Sequence, residues 1–401
     1  MSDDTPPVKF SIYLPTYNRN ELLVKTIDSL VAQTYGNFEL FLYDNGSVQP
    51  AKEIVNSYHD ERIVYTRFEE NQNTCDLAED AINRMSGSHF LFLADDDVLV
   101  PSALSIVANI INQHKIEILQ TGFALFSHIH RTVDLTKVKI NCFNGKLEEL
   151  DAQEAALHYC NGWGIGRKRR YRAPKMAHSS GIFIEKSLIE KTRNCQGELF
   201  IKPFGDIGYV GALLHAEKCH YLDLPLAIVG ETQVREMNGA MPGQRHKWVK
   251  EIQYLEYSPL NAASFQNMGT DAHLKVLLRN NWGNRYDYRL RPHFYIRHLK
   301  QVMSDSPWTA QTLKDVAECI PHYAASLFYE LYPANLLQLL ARKWKKAAFP
   351  EGKPFNAAEG GNADSPQHGM DSTLHFEDIN GFAEWLDRNC IQCLVSLAGS
   401  D

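Results

Sequence analysis

Three consecutive aspartates, Asp95, Asp96 and Asp97, follow the apolar run FLFL at 90–93 and precede the apolar VLV at 98–100. Carboxylates this close repel one another, and one is pushed toward its protonated form unless a cation neutralises the group. Mg²⁺ or Mn²⁺ would suit. Such hard ions take oxygen ligands, typically one or two carboxylates together with substrate phosphates. A metal holding a diphosphate also neutralises it as a leaving group. The triplet therefore points to a nucleotide-dependent transferase, without saying what is transferred. Two further polar stretches stand out, PTYNR at 15–19 and DNGS at 44–47. Singly, these features also read as a helix cap, a turn and a helix start favoured by the macrodipole.

Their placement weakens the singular readings. FSIYLP (10–15) has the short apolar pattern of a buried parallel strand, and PTYNR follows it. Leu22, Leu23, Ile27, Leu30 and Val31 share one face of a following helix that Asn20 can cap. A second strand (38–43) ends in DNGS, and a helix near 52–58, a third strand RIVYTRF and a helix over 74–85 come next. FLFLA is the fourth strand, and Pro101 suits the first turn of a helix reaching His114. A strand follows at 116–126; GIFIEK reads as a strand returning to the sheet, and HYLDLPLAIVG as a last strand pair. The expected class is α/β: a mainly parallel sheet with helices on both faces, then a mostly helical C-terminal region. In such sheets ligands bind beyond the carboxyl ends of the strands, where all three polar loops fall.

Composition removes other classes. Among 401 residues the hydrophobic share is 44% and the charged share 22%, ordinary for a globular chain, and the net charge of −7 argues against a nucleic-acid binder. No apolar run is long enough for a transmembrane helix, and MSDDTPPVKF does not read as a signal peptide. Eight scattered cysteines fit a reduced, cytoplasmic chain, and the lone Cys390/Cys393 pair reads as two thiols rather than a zinc site. Neither a P-loop nor a dinucleotide-binding glycine fingerprint is present.

The ordered set IYLPTYNR, LVAQTYGNFELFLYDNGS and ENQNTCDLAEDAINRMSGSHFLFLADDD resembles the inverting family 2 glycosyltransferases of the GT-A fold. The likeness is good over about 8–126 and weaker to about 230. It implies that Pro15, Thr16, Tyr17 and Arg19 line a nucleotide pocket, that Asp44 and Asn45 read the base, and that Asp76 lies beside the nucleotide. Many relatives carry a second aspartate where Asn45 stands, which leaves the base open. Within the triplet, Asp97 is the expected metal ligand, with Asp95 or Asp96 on ribose or a metal-bound water; relatives often carry an aspartate where Ala94 stands, so the division of roles stays open. Inverting transfer needs a base for the acceptor hydroxyl, and Asp206 falls where relatives carry theirs, with Asp223 as the alternative. In GETQVREMNGAMPGQRHKW, His246 is a candidate metal ligand, and Arg235 and Arg245 are candidate diphosphate contacts.

The expected organisation is a GT-A domain over 1–235 (nucleotide half about 8–126, acceptor half about 127–235), a helical region over 236–350, a linker over 351–373 and a terminal segment over 374–401. The expected donor is a nucleotide-diphosphate sugar and the acceptor a saccharide or glycoconjugate. Segment 326–349 ends in Arg342, Lys343, Lys345 and Lys346, and either touches an anionic membrane interface or packs as a helix with a solvated basic end, the reading preferred here. RKRRYR at 167–172 reads as a surface loop. Competing functions are a nucleotidyltransferase, which normally has a glycine-rich basic loop after the first strand, and a non-catalytic sugar-nucleotide binder.

Overall fold

The computed structural model describes residues 7–127, 137–140, 143–162, 165, 177–202, 208–231, 253–258, 260, 265–282, 290, 294, 314, 317, 376 and 378–392. The chain divides into two compact units, one of 1–156, 174–235 and 367–401, the other of 157–173 and 236–366.

The first unit begins with the expected alternation. β1 (Phe10–Thr16), α1 (Asn20–Val31), β2 (Phe38–Asn45), α2 (Lys52–Ser57), β3 (Ile63–Phe68), α3 (Thr74–Arg84) and β4 (His89–Phe92) follow one another. The aspartate triplet comes next, then the two-residue β5 (Val98–Leu99) and α4 (Ala103–His114). The unit continues with β6 (Ile118–Ser127), β7 (Lys137–Ile140), β8 (Leu147–Leu150), α5 (Ala152–Gly162, which runs into the second unit), β9 (Ile182–Glu185), α6 (Lys186–Gln196), α7 (Gly208–His215) and β10 (Cys219–Glu231).

Among the described residues these strands form one sheet in the order β3-β2-β1-β4-β9-β6-β10-β5, with β7 on β6 and β8 on β10. β3, β2, β1 and β4 are parallel, as are β6 and β10, while β9 runs antiparallel between β4 and β6. Strands covered on both faces should be apolar throughout. β1 obeys: Phe10, Ile12, Tyr13 and Leu14 are fully buried. Helix α1 buries Leu23, Ile27 and Leu30 but leaves Val31 partly exposed, so the inward face is narrower than the apolar spacing suggests.

HYLDLPLAIVG forms one strand rather than a pair. Its register against β6 shifts between Leu222 and Pro225 and again before Ala227. Proline cannot donate to a ladder, so the strand absorbs it in an irregularity instead of turning. The terminal segment docks as a helix, α9 (Ile379–Leu386), in the same unit. Phe382 and Leu386 join the core with Phe126, Leu99 and Ala103, each such burial being favourable by roughly 1.5–3 kcal/mol. Lys25 Nζ pairs with Asp378 at 2.6 Å, and the Ser102 hydroxyl donates to buried Asp387.

In the second unit, α8 (Phe265–Arg279) carries buried Asp271. Its carboxylate accepts the N–H groups of Glu256, Tyr257 and Ser258 at 3.1, 2.7 and 2.7 Å, and lies 3.3 Å from Lys275 Nζ. Among the described residues no helix is long and apolar enough to cross a membrane. RKRRYR, segment 326–349, the expected linker and Cys393 lie outside the described residues.

Candidate active site

The end of β1 lies in register with the end of β2, Thr16 opposite Asp44. The loops that follow are bonded to each other. Asn18, at φ +55°, donates its N–H to Ser47 Oγ at 3.0 Å, and its side-chain oxygen accepts the Val48 N–H at 2.8 Å. An asparagine tolerates this left-handed conformation better than most residues. PTYNR and DNGS therefore form one joined rim, with Pro15 and Tyr17 partly buried within it.

Asp44 is fully buried and well bonded. It accepts the N–H groups of Ser47 (2.9 Å) and Ala51 (3.0 Å), the Tyr65 hydroxyl (3.0 Å) and Arg67 Nη1 (3.0 Å). Burial alone would push its carboxyl up, but the bonds from Ser47, Ala51 and Tyr65 prevail and hold it below the ordinary carboxylate value. Asn45 pairs with the backbone of Gln72 as a peptide would: Oδ1 accepts the N–H at 2.7 Å and Nδ2 donates to the carbonyl at 3.0 Å. Both side chains thus bond the protein itself: Asp44 ties the β2–α2 loop to β3, and Asn45 ties the end of β2 to the segment before α3.

The triplet sits on a tight turn in which the Asp97 N–H donates to Ala94 O at 3.2 Å. Asp95 and Asp97 are buried at 6% and 1% exposure, while Asp96 is only partly so. Asp95 accepts the Thr16 hydroxyl at 2.8 Å on one oxygen and Arg19 Nη1 at 3.0 Å on the other. The same Nη1 reaches Asp96 at 3.2 Å. Asp97 accepts the Gly230 N–H at 3.0 Å and the Ser180 hydroxyl, with His178 Nδ1 at 3.4 Å. Its carbonyl accepts the Thr26 hydroxyl at 2.9 Å, which ties the turn to α1. Desolvation, with Asp96 as a charged neighbour, pushes Asp95 up to about 6 and Asp97 well above the ordinary range.

The structure thus brings together Thr16, Arg19, Asp95, Asp96 and Asp97 by direct bonds, beside the rim that Asp44 and Asn45 fix. Asp76 lies on the exposed first turn of α3 and pairs with Lys202 at 2.5 Å. Asp206, His246, Arg235 and Arg245 lie outside the described residues. Asp223 is buried in the β10 irregularity, where it accepts the Asn144 N–H at 3.0 Å. Sequence reasoning missed His178, Ser180, Gly230 and Arg67. Gly230 carried a weak signal, a glycine inside an apolar strand, which marks a close backbone approach. A β-carbon there would lie 2.0 Å from Asp96 O.

Asp95 and Asp96 share one guanidinium and Asp97 lies beside them, a charge balance that suits a divalent ion. Among the described residues no three His, Cys, Asp or Glu side chains form a metal cluster. An ion held by one or two carboxylates and substrate phosphates requires none. The donor chemistry of the triplet fits Mg²⁺ or Mn²⁺.

Residues 11–169 match the family described as Glycosyl transferase family 2. The glycosyl transferase WcaA of Escherichia coli K12, provisionally assigned to colanic acid biosynthesis, is 33% identical over 98 residues, 24% of this chain and 35% of WcaA. An uncharacterized glycosyltransferase of Rickettsia prowazekii, RP339, is 34% identical over 117 residues, 29% of this chain and 36% of that protein. The chain thus spans about a third of the length of these curated relatives. Among solved structures, Staphylococcus aureus TarS 1-349 in complex with UDP-GlcNAc overlaps 80% of this chain and 91% of its own at 15% identity and a TM-score of 0.48, too loose a likeness to add weight. The family match spans the PTYNR, DNGS and DDD loops and strands β1 to β8, so over residues 11–169 this chain is similar to the family 2 glycosyltransferases.

Proposed function

We propose that the chain is a metal-dependent inverting glycosyltransferase that moves a hexosyl or deoxyhexosyl group from a nucleotide-diphosphate sugar to an acceptor hydroxyl. The observation that carries this reading is the bonding of Arg19 and Thr16 to the aspartate turn, within the stretch that matches the family. In this reading Pro15, Thr16, Tyr17 and Arg19 border the nucleotide, Asp44 and Asn45 hold the rim that faces the base, and Asp76 lies beside the ribose or base. Asp97 and Asp95, with His246, hold the divalent ion, and Asp96 completes the charge of the turn. When bound, the ion neutralises the charge that develops on the departing nucleoside diphosphate.

The acceptor oxygen attacks the anomeric carbon from the face opposite the diphosphate. The carbon–oxygen bond to the diphosphate breaks, its electron pair leaves with the nucleotide, and the acceptor proton passes to the Asp206 carboxylate. In this reading the reaction belongs to bacterial polysaccharide, lipopolysaccharide or glycoconjugate assembly on the cytoplasmic side, a reading supported by the name of the relative WcaA, which refers to colanic acid biosynthesis. Segment 326–349 is the candidate for peripheral contact with a membrane.

The test is incubation with a panel of nucleotide sugars and Mn²⁺. Release of nucleoside diphosphate supports the reading. Pyrophosphate release would assign a nucleotidyltransferase, and silence with no metal-dependent nucleotide binding would assign a non-catalytic binder.

A further inference from the structure

His178 comes just before β9 and stands against the aspartate turn. Its side chain is 36% exposed, whereas that of Asp97 beside it is 1% exposed, so solvent reaches the ring more readily than the carboxylate. Two neighbours hold the ring. It packs on Phe123 of β6, with ring centroids 5.8 Å apart. Its Nδ1 caps the single helical turn Ser179–Gly181 by accepting the Ser180 N–H at 3.4 Å. A ring nitrogen that accepts an N–H carries a lone pair there, not a proton.

The same nitrogen lies 3.4 Å from Asp97 Oδ2. An imidazolium donating to a carboxylate would close to about 2.7–2.9 Å. Here two electron-rich atoms face each other, and neither donates. Ligand atoms about 2.1 Å from one ion and at right angles stand about 3 Å apart, so this pair is spaced much as neighbouring ligands are. Ser180 joins the two atoms, since its hydroxyl donates to Asp97 Oδ2 and its N–H to the ring. The other oxygen of Asp97 accepts the Gly230 N–H at 3.0 Å. Among the described residues Asp97 therefore bonds neutral donors, whereas Asp95 and Asp96 have the Arg19 guanidinium. Of the three carboxylates, it is the one whose charge no protein cation answers.

We propose that His178 is a nitrogen ligand of the divalent ion: Nδ1 and Asp97 Oδ2 bind it side by side, and the long bond from the Ser180 N–H yields to it. The inference rests on the reading of Asp97 as a metal ligand. It also narrows the identity of the ion. Imidazole suits first-row transition ions better than Mg²⁺, which keeps to oxygen ligands, so the nitrogen tilts the site toward Mn²⁺. The other positions fall to oxygens of carboxylate, phosphate or water.

The experiment uses the full chain with Mn²⁺ alone. Electron spin-echo spectra of the bound ion report a coordinated imidazole through its nitrogen nucleus, and titrations of Mn²⁺, and of Mg²⁺ in competition with it, give the affinities. The variant is His178→Asn, because an asparagine oxygen still caps the Ser180 N–H while the ring nitrogen is gone. The unaltered protein should show nitrogen coupling. His178→Asn should lose all or part of it and bind Mn²⁺ at least about tenfold more weakly, with Mg²⁺ affinity within about threefold. His246→Ala should leave nitrogen coupling in place. No coupling in the unaltered protein, unchanged coupling in His178→Asn, its disappearance in His246→Ala, or equal loss of both ions in His178→Asn would overturn the proposal. The underlying reading fails separately. If Asp97→Asn binds Mn²⁺ as tightly as the unaltered protein, the ion is not at the turn and both fall; if Asp97→Asn loses the ion while His178→Asn keeps both ion and coupling, only His178 is refuted.

Discussion

Gly230→Ala is the sharpest single perturbation of the aspartate turn. The added β-carbon would lie 2.0 Å from the backbone oxygen of Asp96 and 3.3 Å from Asp96 Cβ. Ordinary carbon–oxygen contact needs more than 3 Å, so one of the two backbones must retreat by about 1 Å. No rotamer change can relieve a clash with a main-chain atom. The strand side is held by the ladder to β6, where Gly230 pairs with Phe126. The turn side is held by Thr26, Arg19 and Thr16. Either movement strains the 3.0 Å bond from the Gly230 N–H to Asp97. Overpacking of this kind costs roughly 1–3 kcal/mol in stability. A 1 Å displacement of a site costs on the order of 10²-fold in rate. The check is thermal unfolding together with donor hydrolysis and Mn²⁺ titration of the same variant. A folded Gly230→Ala protein with wild-type hydrolysis and metal affinity would refute the claim that β10 sets the position of the triplet.

Three other outcomes are expected. Arg19→Met leaves Asp95 and Asp96 without their shared cation, so the melting temperature should fall, by roughly 2 kcal/mol in free energy for these largely buried carboxylates, and added Mn²⁺ should restore part of the loss; an unchanged melt would contradict it. His89 is 5% exposed, and burial pushes its ring down to about 4, against which only the Ile116 carbonyl acts. Because the folded value lies below the unfolded value, stability is complete above about pH 6.5 and declines as pH falls toward 4, by roughly 3 kcal/mol at the lower end; denaturant midpoints across that window should show the decline, and His89→Gln should flatten it. Phe382→Ala removes a fully buried ring that lies against Phe126 and Phe376, and should cost about 3 kcal/mol in chemical unfolding, whereas an unaltered midpoint would mean that α9 adds nothing to the first unit.

Much of the first unit is legible in the sequence because its signals are local. The first four strands and their helices are written in apolar runs and helical spacing, and the turn residues fall between them. The three polar loops could be placed at one edge of the sheet from order alone. What escaped notice depends on contacts that no local pattern carries. Ser180 and His178 reach Asp97 across 83 and 81 positions, because β9 enters the sheet antiparallel beside β4. Gly230 arrives from a strand that begins well over 100 residues later than the triplet. The roles of Asp44 and Asn45 show the complementary limit. Their residue types announce a turn, but not that the carboxylate would gather two N–H groups, a phenol and a guanidinium, nor that the amide would pair with the Gln72 backbone.

The two acidic sites differ in a way that locates the demand for a cation. Asp44 and Asp95 are both buried carboxylates, and each meets an arginine at 3.0 Å. Asp44 has Arg67 and three further donors, and is held below the ordinary value. Asp95 has one hydroxyl and a share of a guanidinium that also serves Asp96, and rises to about 6. Burial raises both but weighs more on Asp95, and Asp95 also has fewer donors to answer its charge. Asp44 is already satisfied by the protein and has little to gain from an added ion. The triplet is under-neutralised, and Asp97 within it is pushed up as well. A divalent ion with a diphosphate therefore gains most at the turn. Mn²⁺ affinity should collapse on substitution of Asp97 by asparagine yet change less than about threefold in Asp44→Asn. A larger effect at Asp44 than at Asp97, measured by titration of the folded variants, would place the cation at the rim and refute the assignment.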